Sequence, residues 1–450
     1  MNKKLFIIAA TTVGFAACSN ETLIDDAKQN AAEVEIAFNT FAEAQTKATE
    51  NNQSSYGWNL EDHHETFSVW SAKLVAGAYV PVHGDGKATT TTEGAGVVVT
   101  WNTPTTSAWN PASKKYWDKA ATSYEFYAAA PSSAAWVINN GKDALDNATT
   151  NYQNAYFTIN DFTLAGTNLT DDTFAATTAD DAYKKSWKGA SDVDLMIAAP
   201  CTKNNISAIS TTADQTVNLQ FIHILSRLNV AFKKGSSLAD NSVVKVQKFD
   251  VCKLVNKGSF DESIGAAVNT KPGTKARWTP STTPTDVVTI NGVVNGNSNT
   301  TALSNTDAYY TIQSLVIPQE ISFEKIARNG DEIASAQKPY FVVEYTIDDE
   351  PFKAYINLAE AFGAVKYVVK NVDDISSVDG LYKLSGSTYS PVFGDKETGE
   401  TYYEKVANGT VSFTEGWQNN LTVTLDALEI LLDATVSEWS TNEEKTFEVK

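Results

Sequence analysis

From Phe67 onward the chain is a succession of short runs rich in Val, Ile, Tyr, Phe and Trp. Clusters of Gly, Pro, Asn or Thr end each run, and helical periodicity is scarce. Such punctuation admits strands and turns and little else. It predicts strands at 67–73, 78–82, 97–101, 124–129, 194–198, 217–232, 243–254, 309–317, 340–347, 352–357, 410–413, 421–425 and 428–436. Over 450 residues the expected architecture is two β-sandwiches, because a single closed barrel would need more even strand spacing. Helical turns are expected at 358–362 and 373–381, and 365–369 reads equally well as a strand. Stretches 132–191 and 271–305, with Asn, Thr, Asp or Pro scattered among isolated apolar residues, read as long loops. A strand ending in Lys233-Lys234 and followed by Gly235-Ser236-Ser237 sets the expected division at 49–235 and 236–450.

Ahead of this region Val34, Ile36 and Phe38 alternate with Glu35, Ala37 and Asn39, the pattern of a strand with one buried face over 33–41. The polar stretch 42–55 behind it has no apolar face and reads as a leash open to proteases. Further upstream, Lys3 and Lys4 precede an apolar run at 5–17 that is too short to span a bilayer and reads as a signal peptide over 1–17. It ends Ala16-Ala17-Cys18, a lipobox with Phe15 where Leu is usual, so Cys18 is expected to be acylated and to start an 18–48 leader. Any anchorage is then by lipid.

Charge removes one class of partner. With 35 basic against 54 acidic residues the formal charge is −19, which repels nucleic acid and anionic lipid. Cys201 and Cys252 read as separate buried thiols, with a disulfide as the alternative. Their number excludes a disulfide framework.

Nothing in the sequence predicts catalysis. His63 and His64, being adjacent, point to opposite sides of an extended chain, His83 stands apart, and His223 between Ile222 and Ile224 reads as a hydrogen-bonded strand residue. No phosphate loop, nucleophile elbow or His-Glu-x-x-His motif is present, and no metal or cofactor is expected. The acidic pairs Asp171-Asp172, Asp180-Asp181, Asp348-Asp349 and Asp373-Asp374 lack calcium-loop spacing and read as solvated turns. Trp101, Trp109, Tyr116 and Trp117 would suit either sugar stacking or core packing, and core packing is the expected use.

Several phrases in order along the chain resemble the fimbrillin family, the subunits of type V pili and related surface lipoproteins. They are Cys18; Thr46-Lys47-Ala48-Thr49; Phe67-Ser68-Val69-Trp70; Lys115-Tyr116-Trp117 before Tyr124-Glu125-Phe126-Tyr127-Ala128-Ala129-Ala130-Pro131; Asp194-Leu195-Met196-Ile197-Ala198; Phe221-Ile222-His223 with Ser226-Arg227-Leu228; and Gly416-Trp417 before Trp439. The resemblance implies two tandem transthyretin-like sandwiches and export to the outer membrane as a lipoprotein. It also implies a cut between Lys47 and Ala48 that releases the first strand, with Val34, Ile36 and Phe38 as its anchors. Family members usually carry Arg at the cut, whereas the first arginine here is Arg227. A strand from another fimbrial subunit then fills the vacated groove, by backbone pairing and alternate side chains. The candidate donor anchors are Leu428, Ile430, Leu432, Val436, Phe447 and Val449, although 446–450 reads equally as a frayed end. The implied function is a structural or adhesive fimbrial subunit. The alternative is a permanently anchored outer-membrane lipoprotein that binds a glycan on a host or bacterial surface, or a pilus tip or anchor component.

Overall fold

The strand Ser123–Ala130 is buried along its whole length, and the first core is organised around it. Its sequence does not alternate apolar with polar because both faces are covered. On one face Trp70, paired with Tyr127 in the neighbouring strand, packs against Phe157 with ring centroids 5.3 Å apart. On the other, Phe126 meets Trp117 at 5.9 Å. A strand packed on both sides can carry an unbroken apolar run, here Phe126 to Ala130.

The computed structural model describes residues 34–42, 66–84, 96–102, 108–139, 155–166, 194–209, 216–264, 277–292, 302–303, 309–325, 327–329, 332–334, 338–371, 373, 375–426 and 430–438. Nearly all regular structure among them is strand, so the all-β expectation holds. A nine-stranded sheet runs Ala37–Ala42, Thr216–His223, Met196–Ala198, Ser123–Ala130, Phe67–Val75, Val97–Asn102 and Ala108–Pro111, with Cys201–Asn204 and Ala78–His83 paired off this path. Its outer layer is the four-stranded sheet of Trp278–Pro280, Lys257–Asp261, Tyr156–Thr163 and Val137–Asn139.

The second core lies between two four-stranded sheets. One orders Tyr309–Val316, Ser226–Lys234, Trp417–Leu425 and Ile430–Glu438; the other orders Val287–Asn291, Val244–Val255, Tyr340–Ile347 and Glu350–Asn357. Phe232 and Phe249 meet edge to face across it at 4.8 Å. Asp348 and Asp349 both take left-handed backbone, at φ 50° and 69°, in the two-residue turn between paired strands. Aspartate tolerates that conformation because its short side chain bonds locally, and Asp348 accepts the Val243 amide at 2.7 Å. This acidic pair is therefore a turn.

Several boundaries differ from expectation. The run at 217–232 is two strands, Thr216–His223 and Ser226–Lys234, because Ile224 and Leu225 end in the first core while Leu228 begins the second. The change of core thus falls before Lys233-Lys234. Nor is it a single cut, since Phe260, Trp278, Leu315 and Ile317 return to the first core. The stretches read as loops contain Val137–Asn139, Tyr156–Thr163, Trp278–Pro280 and Val287–Asn291. Half-exposed strands with Thr, Asn and Gly lack the apolar density that marks a strand in sequence. Helix Leu358–Ala361 forms where a helical turn was expected, capped by the Asn357 side chain, which accepts the Ala359 amide at 3.0 Å. By contrast 365–369 lies in strand Val365–Lys370, and Leu381 opens a strand rather than ending a helix.

A buried ion pair joins the two sandwiches. Arg277 donates through Nε to Glu415 at 2.9 Å, with both side chains 5% exposed. Within the second sandwich Asn419 donates to Ser226 of the paired strand at 2.9 Å. Burial pushes the Glu415 carboxyl up, against the opposing pull of Arg277. Nearby His223 meets Asp194 at 2.6 Å, both fully enclosed, so this histidine is the hydrogen-bonded strand residue expected of it.

Candidate functional site: the first strand and the groove it fills

The segment 34–42 is bonded at both margins of the nine-stranded sheet. At its start the Ile36 amide donates to the Lys115 carbonyl at 2.9 Å and the Trp117 amide to the Val34 carbonyl at 3.0 Å, an antiparallel bridge centred on Glu35 and Tyr116. Those partners follow Ala108–Pro111, the strand at one end of the sheet. From Ala37 to Ala42 the chain pairs instead, and in parallel, with Thr216–Phe221. One short segment therefore draws the two ends of the sheet together. Lys114 adds an exposed ion pair to Glu35 at 2.8 Å, which contributes little at such a surface.

Period-two alternation decides what this segment buries. Ile36 is fully enclosed and Phe38 is 6% exposed, whereas Asn39 faces solvent. Val34 is half-buried against the same core. The Phe38 ring stands edge-on to Phe67 and to Phe126, each at 6.1 Å, and to His83 at 5.5 Å. Edge-to-face pairs of this kind add about 0.5–1.5 kcal/mol each to the area they bury. The three predicted anchors thus share one face and enter the first core.

His83 lies at the bottom of this arrangement with no solvent exposure. Its Nδ1 is 2.7 Å from the Ser71 hydroxyl, and its Nε2 is buried without a hydrogen-bond partner among the described residues. Burial, helped by the positive charge of Lys115, pushes its pKa down to about 3. The imidazole is neutral while the strand is in place. Local sequence gives no sign of this role, since His83 joins Phe38 only through the sheet.

Other residues singled out from sequence fall elsewhere. Trp109 and Trp117 are buried and belong to the first core, with Trp101 edge-on to Trp109 at 5.2 Å. Tyr116 is exposed, so that aromatic cluster offers no sugar platform. Cys201 and Cys252 are both free thiols. Ile430, Leu432 and Val436 lie on Ile430–Glu438, the edge strand beside Trp417–Leu425, and Ile430 and Leu432 pack on the second core. Cys18, Lys47, Ala48, Leu428, Phe447 and Val449 lie outside the described residues, as do His63 and His64. Among the described residues no three His, Cys, Asp or Glu side chains are placed to hold a metal. None of their helices is long and apolar enough to cross a membrane.

A different aromatic group was not legible in sequence. Strands Val365–Lys370, Tyr402–Ala407, Leu381–Ser385 and Thr388–Val392 form a separate small sheet. On one face Tyr367 stacks on Tyr389 at 3.9 Å, while Tyr382 and Tyr403 stand edge-on to them at 5.0 Å. The Lys405 ammonium lies 4.6 Å over the Tyr382 ring and pairs with Glu360. The other face is closed by Val378, Leu381 and Tyr402. Register places Val369 and Leu384, both exposed, with the tyrosines.

No curated protein sequence matches the chain. Among solved structures it is similar to a proposed cell adhesion protein from Bacteroides uniformis, at 12% identity over 91% of this chain and 99% of that one, with a TM-score of 0.38. A fimbrial protein from Bacteroides vulgatus gives 14% identity over 90% and 99%, with a TM-score of 0.35. The C-terminally truncated tip fimbrial protein Mfa3 from Porphyromonas gingivalis gives 9% identity over 84% and 94%, with a TM-score of 0.31. The sequence pattern of the fimbrillin-like family matches residues 46–364, and the chain belongs to that family.

Proposed function

We propose that the chain is a structural or adhesive subunit of a cell-surface fimbria, exported as an outer-membrane lipoprotein through Cys18 and assembled by protease-triggered strand exchange. The family is structural and adhesive rather than enzymatic. In this reading cleavage between Lys47 and Ala48 frees the leader, the segment anchored by Val34, Ile36 and Phe38 leaves, and a strand of another subunit replaces it. Candidate donor anchors are Leu428, Ile430, Leu432, Val436, Phe447 and Val449. The two sandwiches would then be the tandem transthyretin-like units of the family.

One observation carries the reading. Ile36 and Phe38 are core residues of the first sandwich, yet they sit on a terminal segment that the rest of the sheet does not need for its own pairing order. Its removal would leave an apolar slot with unpaired backbone on both flanks, which a second strand can fill and solvent cannot satisfy. The test is limited proteolysis at Lys47 followed by SDS electrophoresis without heating. Ladders of resistant oligomers are expected. Their absence with wild-type protein and appearance with Lys47→Arg would place the fault in the cut, and their absence in both would overturn the reading.

The tyrosine face of the small sheet favours a second reading, a retained lipoprotein that binds a glycan. Phenol rings offer apolar faces and hydroxyl tips, both of which a pyranose can use. Glycan-array binding lost in Tyr389→Ala, with Lys47 uncut on cells, would support it. An empty array would remove it.

A further inference from the structure

His83 lies in the groove against Phe38, an anchor of the first segment. It is wholly buried beneath Phe38, and one of its ring nitrogens has no hydrogen-bond partner among the described residues. Around it are the Ser71 hydroxyl on the adjacent strand, the Phe126 ring on Ser123–Ala130 at 6.3 Å, and Phe38 on the segment 34–42. None of these three groups is anionic. The charge that bears on it is that of Lys115, which is positive. Lys115 is also the residue whose carbonyl the first segment bonds through Ile36. Among the described residues no group at this site would balance an imidazolium, so a sealed His83 is neutral.

We propose that protonation of His83 drives the first segment out of its groove, making strand occupancy acid-labile. The inference rests on the strand-exchange reading above and adds regulation to it. With the segment seated, burial and Lys115 hold the imidazole pKa near the low value of about 3. With the segment gone the ring meets water, and its pKa returns towards the ordinary histidine value of 6.5. The open groove therefore binds the proton more tightly. Stability of the filled state is fully present above the open-state pKa, and is lost as pH falls through it towards the filled-state value. The same linkage holds for any incoming strand that seals His83 with an apolar anchor. Release would be eased by mild acid, and stable filling would need neutral pH.

The experiment is hydrogen exchange on the full, uncut chain at about pH 7.5 and about pH 5, corrected for intrinsic exchange rates. It compares the amides of Ile36 and Ala37–Ala42 with those of Val230 in the second core. In wild type, opening of the first segment relative to Val230 is expected to rise roughly 30-fold on acidification, from one proton linked to one opening. His83→Leu and His83→Asn, one apolar and one polar but neither titrating, are both expected to abolish that rise. An unchanged opening in wild type, or the same rise in both variants, overturns the proposal. If the segment exchanges only together with Val230 at both pH values, it does not leave by itself and the strand-exchange reading falls too. Local opening that ignores pH overturns the proton linkage alone.

Discussion

Phe38 and Phe67 meet edge to face with ring centroids 6.1 Å apart, one on a segment at the end of the nine-stranded sheet and the other on a strand near its middle. Because Phe38 is almost wholly enclosed, Phe38→Ala removes both transfer energy and packing. The expected loss is about 3–5 kcal/mol, read as a lower urea midpoint. Asn39→Ala, next in sequence but exposed, should stay within about 0.5 kcal/mol of wild type. Equal losses would mean that the segment is not packed as described.

Arg277 and Glu415 form a pair with little access to water. Arg277→Met should cost about 3–5 kcal/mol, because it leaves a buried carboxylate alone. Adding Glu415→Gln should recover much of the loss. Burial already raises the Glu415 pKa above the ordinary glutamate value of 4.5, and loss of Arg277 raises it further. A carboxyl with a raised folded-state pKa penalises folding as pH climbs through the unfolded-state value. The stability gap between Arg277→Met and wild type should therefore open above about pH 4.5 in thermal melts across pH.

Gly96 takes φ +75°, and a Cβ there would lie 2.6 Å from the buried Trp70 ring. Gly96→Ala should lose about 1–3 kcal/mol by overpacking, measured by calorimetry, with added backbone strain.

Arg227 is fully enclosed and Arg277 is 4% exposed. An arginine-specific protease should leave the native chain uncut at both positions and cut both after denaturation. Intact-mass spectrometry would show this, and cutting at Arg227 under native conditions would contradict the burial.

Both Cys201 and Cys252 are unbonded, and burial raises each thiol pKa. In a Cys18→Ser chain, a thiol reagent at about pH 8, near the ordinary thiol pKa, should label neither quickly while native and both in urea. A stoichiometry below two in urea would indicate a disulfide.

Alternation made the strand content and the burial of Ile36 and Phe38 legible in sequence, because a period of two states which face is covered. The same rule missed Val137–Asn139 and Val287–Asn291, short strands in which Ile138 and Ile290 are the buried residues and too little alternation is left to mark a face. It also merged Thr216–His223 with Ser226–Lys234. Val217, Leu219 and Phe221 alternate in the first and Leu228, Val230 and Phe232 in the second, and the change of core at Ile224-Leu225 is a tertiary event with no Gly, Pro, Asn or Asp to announce it. His83 and the four tyrosines around Lys405 were illegible for another reason. His83 meets Phe38 only across the sheet, and the tyrosines, although on successive strands, share a face only through the register of their pairing, of which sequence spacing carries no trace.

The two-sided bonding of 34–42 has a mechanical consequence for whatever strand occupies that position. A load applied along the strand axis acts on the bonds to 115–117 and to Thr216–Phe221 together, as shear. They cannot be opened one after another from a free edge. Rupture then requires many bonds to fail at once, and its rate is set by the barrier to that joint event rather than by the equilibrium stability of the seat. A groove closed in this way would hold against tension longer than its free energy alone suggests.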